Sequence, residues 1–170
     1  ILDEAKVTIA KLQADEAAAK SVIEAIAALP ATIALKDEEN VNNVAMKYAT
    51  LTEAQQLLVT NKDVLNIAQV TIAKLQAEKA TNEAAAKVVI EAIAALPAEI
   101  TLANKAAVNE VHEQFSALTE AQQALVTNKA VLTKAKEKIE ALQAEQEANE
   151  TAAKNVMEII AALPEVITLE

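Results

Sequence analysis

The sequence predicts an all-α protein built from tandem repeats, and three observations lead to this prediction. The chain of 170 residues contains no glycine and only three prolines, so residues that interrupt helices are scarce. The phrase Ala-Leu-Pro recurs at a constant interval, with its prolines at Pro30, Pro97 and Pro164. Apolar residues between the prolines recur in steps of three and four, which is the spacing of one helix face. A constant period of this kind is typical of supersecondary units packed against their neighbours.

The longest predicted helix precedes each proline. No proline or glycine lies between Val64 and Leu96, so we expect one helix of about 33 residues, roughly 50 Å long. Its apolar seam is interrupted by the polar residues Lys79 and Asn82, which indicates one helix serving two cores with a polar waist between them. The proline ends the helix because the preceding residue is disfavoured in the α conformation. The seam residues are Leu65, Ala68, Ile72, Leu75, Ala86, Val89, Ile93 and Leu96, and one period later Leu132, Ala135, Ile139, Leu142, Ala153, Val156, Ile160 and Leu163.

A connector and a return helix are predicted after each proline. The connectors, residues 31–35 and 98–102, are expected to be extended and to point Ile and Leu inward. Asp37 and Asn104 occupy equivalent positions and are predicted to be the N-caps of the return helix. The return helix carries one apolar face. Its residues are Val41, Val44, Tyr48 and Leu51 in the first copy, and Val108, Val111, Phe115 and Leu118 in the second.

A short turn helix is predicted to follow. Thr52 and Thr119 each precede a glutamine by three residues, the pattern of a capping box. Asn61 and Asn128 are expected to cap the next long helix. Because each unit would then be left at the opposite end from its entry, we predict tandem three-helix-bundle modules joined end to end by continuous helices, as in spectrin-like arrays.

The predicted module boundaries lie at the polar waists. They are residues 1–14 as the terminal half-helix of a preceding module, 15–78 as the first module, 79–146 as the second and 147–170 as the truncated start of a third. The first waist is four residues shorter than the second, which indicates a spacer that tolerates a change of length. Ile1 is not a natural start, so we expect an interior fragment of a longer protein.

Composition argues against several classes of function. The net charge is −10, and every one of the 15 basic residues is lysine, so we expect no binding to nucleic acid. The absence of cysteine excludes disulfides, thiol catalysis and cysteine-based metal sites. Charged residues interrupt every apolar run, and we expect no membrane span.

The few residues with functional chemistry have simple structural explanations. His112 is the only histidine and has Ala45 as its equivalent, so a surface histidine is favoured over a metal ligand or a catalytic base. The acidic cluster at residues 37–39 suits the first turn of a helix. Residues 149–151 match the N-glycosylation pattern, a match that we attribute to chance.

The two aromatic residues leave two hypotheses open. Tyr48 and Phe115 occupy the same position in successive copies and have no aromatic companions elsewhere. A large side chain that fills a core of small apolar residues is the favoured interpretation, and a ligand-stacking platform is the alternative. We assign no catalytic, cofactor-binding or metal-binding residue.

The phrases ALPxxITL and LTEAQQxLVTN, followed by an Ala/Lys/Leu-rich helix, resemble helical tandem repeats in large cell-surface proteins of Gram-positive bacteria. These include S-layer-associated proteins and adhesin stalks, and the resemblance covers nearly the whole chain. It implies export to the cell surface or cell wall and a structural role, and it supplies no functional residues. We therefore expect a spacer or stalk without catalytic activity, whose partners are neighbouring repeats. The alternative is a binding module that recognises a host protein or a cell-wall polymer through an exposed helical face.

Overall fold

The computed structural model describes residues 1–163, and these residues form seven α-helices and no strand. The all-α prediction is therefore confirmed. Contacts divide the chain into two compact units, Ile1–Thr81 and the residues from Asn82 onward. The helices are α1 (Leu2–Ala27), α2 (Glu38–Ala49), α3 (Glu53–Gln56), α4 (Lys62–Ala94), α5 (Lys105–Ser116), α6 (Glu120–Gln123) and α7 (Lys129–Ala161).

The long helices are continuous through their polar waists, as predicted. Helix α1 passes unbroken through Asp15, and α4 passes unbroken through residues 78–82. Residues 76–81 of α4 are all exposed, so their side chains do not fill a core. The waist is held by helical hydrogen bonds and by residues that favour helix.

The long helices end slightly before the predicted positions. Helix α1 ends at Ala27 and α4 at Ala94, whereas the seam predicted helix up to the residue before each proline. The amide of Leu29 bonds to the carbonyl of Ile26 at 3.1 Å, three residues back, so the last turn tightens before the proline. Pro164, which was expected to end the third long helix, lies outside the described residues.

The core of the first unit lies where α1, α2 and α4 meet, and the predicted seam of α4 supplies Leu65, Ala68 and Ile72 to it. Ile26 and Val41 are completely buried. Burial of an aliphatic side chain of this size contributes about 1.5–3 kcal/mol. The buried residues are Ala19, Val22, Ile26, Leu29, Val41, Val44, Val59, Leu65, Ala68 and Ile72.

The core of the second unit repeats the first position by position. Phe115 is buried where Tyr48 is partly buried, and Leu96 is partly buried where Leu29 is buried. Within the described residues, neither core contains a buried polar or charged residue. The buried residues are Ala86, Val89, Ile93, Val108, Val111, Phe115, Val126, Leu132, Ala135 and Ile139.

The connectors are only partly extended, which corrects the prediction. Ala34 and Thr101 have extended backbone angles, but the residues that follow them form short 3-10 turns, Leu35–Asp37 and Leu102–Asn104. These turns lead directly into α2 and α5, so the chain reverses within a few residues. Ile33 is partly buried against the first core, as its inward position predicted.

Asp37 and Asn104 occupy the predicted N-cap positions, but their side chains do not cap the return helices. Asp37 Oδ2 accepts the amide hydrogen of Ala34 at 2.9 Å, and Asn104 Oδ1 accepts that of Thr101 at 2.9 Å. Both bonds reach back three residues and close the 3-10 turn. The capping prediction was wrong because the helix N-terminus is preceded by another turn rather than by an extended residue.

Candidate functional site

The turn helices carry the capping boxes that the sequence predicted. Thr52 donates its amide hydrogen to Gln55 Oε1 at 3.0 Å, and the amide of Gln55 reaches Thr52 Oγ1 at 3.4 Å. Thr119 and Gln122 make the same two bonds at the same distances. These short helices lie near the waists, and their side chains form hydrogen bonds to other parts of the same unit.

The glutamines of the capping boxes also bond to the waist of the preceding long helix. Gln55 Nε2 donates to Asp15 Oδ1 at 2.7 Å in the first unit. In the second unit Gln122 Nε2 donates to Asn82 Oδ1 at 3.1 Å. The polar residue of the seam, Asp15 or Asn82, therefore bonds to the turn helix, which explains why this position is polar in both copies.

Asn61 and Asn128 join two long helices, a role that sequence reasoning missed. Asn61 Nδ2 donates to the carbonyl oxygen of Ile23 at 2.9 Å, and Asn128 Nδ2 donates to that of Ile90 at 2.9 Å. Asn128 precedes α7 as predicted, but its side chain makes no capping bond. The signal for this contact was the recurrence of asparagine at one position of the repeat.

A second glutamine position closes the corner after each return helix. Gln56 Nε2 donates to the carbonyl oxygens of Tyr48 and Leu51, both at 3.2 Å. Gln123 makes the same pair of bonds in the second unit, to Phe115 and Leu118 at 3.3 and 3.0 Å. These bonds add a side-chain donor at the end of each return helix, where the carbonyls of Tyr48 and Phe115 also accept the amide hydrogens of Leu51 and Leu118.

The aromatic residues are packed against the cores. Phe115 is 7% exposed, and the amine of Lys129 lies 5.0 Å from its ring centroid. Tyr48 is partly buried with Lys62 5.3 Å from its ring centroid. A lysine over a ring at these distances makes a cation–π contact. The burial of Phe115 and the packing of Tyr48 against the first core support the core-filling hypothesis.

The other residues considered from sequence are dispersed. His112 is partly buried on α5, and within residues 1–163 no group of histidine and carboxylate side chains could hold a metal ion. Glu38 accepts a hydrogen bond from Gln76 at 2.7 Å, whereas its neighbour Asp37 bonds within the 3-10 turn. Asn149 is exposed in the middle of α7. The structure brings none of these residues together.

A groove with mostly apolar walls belongs to the second unit. Its volume is about 790 Å³, and it lies between the end of α4, the connector after Pro97 and the first turns of α7. Apolar side chains form most of its walls, and two lysines stand beside them. The side chains that define it are Ile93, Leu96, Ile100, Val131, Lys134 and Lys138.

The lysines of the groove have no counterparts in the first unit. Ile67 and Thr71 occupy the positions equivalent to Lys134 and Lys138. The sequence signal for the groove was this local difference between two segments that otherwise share their seam. A smaller groove of about 250 Å³ lies beside Phe115 and includes His112.

Comparisons with protein families, with curated proteins and with solved structures find no match to this chain. None of the helices in residues 1–163 combines the length and the apolar character needed to cross a membrane.

Proposed function

We propose that this chain is a structural spacer made of three-helix-bundle modules joined end to end by shared helices, with no catalytic activity. The observation that carries the proposal is the unbroken helix α4. Its first half supplies Leu65 and Ile72 to the first core, and its second half supplies Ala86 and Ile93 to the second. A helix is a stiff connector with a rise of about 1.5 Å per residue. A chain built in this way holds its ends at a distance set by the number of repeats.

The exposed parts of the first and last helices support the same arrangement. Ile160 and Val156 repeat the core residues Ile93 and Val89, yet they are 60% and 55% exposed. At the other end, Leu2 and Ile9 repeat Leu65 and Ile72 and are also exposed. These half-helices carry the faces that complete a module in the interior of the chain. We infer that each face is suited to a neighbouring repeat of the same kind.

The outer faces of the two units differ, which supports a spacer over a repeated receptor. Ile67 and Val70 of α4 are 66% and 70% exposed, and their equivalents are Lys134 and Glu137. A ligand bound identically by each repeat would require the same exposed side chains in each. The repeat instead keeps its core and the hydrogen bonds at its corners.

We place the spacer at the bacterial cell surface, within an exported cell-wall or S-layer-type protein. This part of the proposal is supported by the resemblance of the ALPxxITL and LTEAQQxLVTN phrases to repeats of such proteins. The absence of cysteine suits a protein that does not depend on oxidative folding.

Small-angle X-ray scattering of a series with different repeat numbers tests the proposal. Asn61 immediately precedes α4, and its equivalent Asn128 bonds to the carbonyl of Ile90, which lies about 29 residues further along the chain. Each added repeat should therefore contribute the length of about 29 helical residues, or about 44 Å. Insertion of a second copy of residues 82–148 should lengthen the particle by that amount. The unmodified chain should have a radius of gyration well above the roughly 15–16 Å of a compact protein of this size. A compact profile that grows only with the cube root of mass would contradict the proposal.

A binding module for a host protein or a cell-wall polymer is the second candidate, favoured by the groove of the second unit. A pull-down from serum and from purified cell wall, with the full chain as bait, distinguishes the two. Retention of one partner, lost when the groove residues are replaced, would favour the binding module. A scattering series that grows by a fixed increment, with no retained partner, would favour the spacer.

A further inference from the structure

The groove of the second unit combines an apolar wall with two lysines that form no ion pair within residues 1–163. Ile93, Ile100 and Val131 contribute apolar surface, and the volume of about 790 Å³ lies within the range of small-molecule sites. A ligand that uses this surface needs an apolar body.

Because Lys134 and Lys138 are cationic, that ligand also needs a negatively charged group. They lie four residues apart on α7, so they share one face of the helix, where two like charges repel each other. Within residues 1–163 neither amine forms an ion pair, although Glu137 and Glu140 are close in sequence. An anion between the two amines would relieve this repulsion.

The local charge is unusual for this protein. Glu99 is the one acidic residue in the described lining, so the groove carries a net charge of about +1 within a chain of net charge −10. The first unit has Thr32, Ile67 and Thr71 at the positions of Glu99, Lys134 and Lys138, and none of these is charged. Cationic character is therefore specific to the second unit.

We propose that the groove of the second unit binds a single-chain amphiphile with a carboxylate head, such as a medium-chain fatty acid. The hydrocarbon chain lies along the apolar wall between α4 and the connector, and the carboxylate lies at Lys134 and Lys138. Both parts are required. A small hydrated anion gains nothing from the apolar wall, and an uncharged chain leaves the two amines unpaired.

Asn128 does not determine this specificity. It lines the groove, and its Oδ1 is buried with no hydrogen-bond partner among the described residues, but Asn61 Oδ1 is in the same state in the first unit. A feature present in both units cannot distinguish them, so the test concerns the lysines.

Titration of the ¹⁵N-labelled full chain with decanoate, followed by amide chemical shifts, tests the proposal. We expect saturation at one equivalent, with shifts concentrated at residues 93–101 and 131–138 and absent from residues 26–34 and 64–71. Octanoate should bind about 4- to 15-fold more weakly, since each buried methylene contributes about two- to fourfold. Shifts spread over both units, or shifts that never saturate, would contradict the proposal.

The matched variants use the residues of the first unit. The double variant Lys134→Ile/Lys138→Thr copies Ile67 and Thr71, so the fold should be retained, and decanoate should bind at least about tenfold more weakly. Lys136→Ile is the charge control, because Lys136 lines the smaller groove beside Phe115, and its effect should be less than about twofold. An equal loss in both variants would attribute binding to net charge alone and would overturn the proposal.

Two further ligands and one further variant complete the test. Decanol and butyrate should each bind much more weakly than decanoate, and equal binding of either would overturn the requirement for both a chain and a carboxylate. Glu99→Gln removes the opposing charge and should strengthen decanoate binding about two- to threefold at low salt. Weaker binding in that variant would contradict the assigned position of the carboxylate.

Discussion

The first and second units repeat the same asparagine and glutamine hydrogen bonds between their elements, with different surfaces around them. Asn61 and Asn128 each donate to a carbonyl of the preceding long helix at 2.9 Å. The outer face of α4 carries Ile67 where that of α7 carries Lys134. This comparison of the two units shows that packing between helices determines the fold, whereas exposed residues can differ between repeats. A chain can then keep one architecture while its repeats acquire separate surface properties.

The largest effect should come from the aromatic position, and it should differ between the units. Phe115→Ala should lower the free energy of unfolding of the second unit by about 3–5 kcal/mol, because it leaves a cavity at a buried site. Tyr48→Ala should cost less, about 2–3 kcal/mol, because Tyr48 is only partly buried and its site can be filled by water. Urea unfolding combined with amide hydrogen exchange assigns each loss to its unit. Equal losses would show that exposure at this position does not control the cost.

The asparagine contacts should have equal effects in the two units. Asn61→Ala and Asn128→Ala should each cost about 1–2 kcal/mol, because the carbonyls of Ile23 and Ile90 lose their side-chain donors. Asn43→Ala, at an exposed position of α2, is the control and should change unfolding by less than about 0.5 kcal/mol. If either asparagine variant matches that control, its contact does not stabilise the unit.

Much of this architecture follows from local sequence rules. The seam predicted the long helices because apolar residues at heptad spacing form one face only in a helix. The capping box of Thr52 and Gln55 could be predicted because its two residues are only three positions apart in the sequence. The contacts of Asn61 and Asn128 could not be predicted in this way, since the donor and the acceptor are 38 residues apart. Val59 and Val126 were missed because they lie in turns, where no helical period marks the buried position.

The groove could not be predicted from the sequence for a related reason. Lys134 and Lys138 look like ordinary solvent-exposed lysines of an amphipathic helix. Their significance depends on the connector after Pro97, which the fold places beside them. A difference between aligned repeats, here lysine against isoleucine and threonine, was the one available signal.

The capping boxes should contribute smaller and matching amounts. Thr52→Ala and Thr119→Ala should each lower unfolding free energy by about 0.5–1.5 kcal/mol, because the amides of Gln55 and Gln122 lose their acceptors. Thr81→Ala provides the control, since among the described residues its hydroxyl bonds only to the carbonyl of Ala77 within α4. A loss in one unit alone would show that the two turn helices are not equivalent.

The smallest expected effect concerns the waist contact. Asp15→Asn makes the contact to Gln55 resemble that between Asn82 and Gln122, and it should change unfolding free energy by less than about 0.5 kcal/mol. The partly buried Asp15 carboxylate and the Asn82 amide accept the same type of hydrogen bond. A change above about 1 kcal/mol in thermal or urea unfolding would show that charge at this position contributes to the first unit.

The central claim is that one helix joins the two cores, and a distance across the waist of α4 tests it most directly. Val70 and Val88 are exposed and lie about five turns apart on the same face of α4. The chain has no cysteine, so the double variant Val70→Cys/Val88→Cys can be spin-labelled at these two sites alone. Pulsed electron paramagnetic resonance should give one narrow distribution centred at about 27 Å, and adding Ala80→Pro should broaden it. A broad or multimodal distribution in the chain without that added proline would contradict a continuous helix between the units.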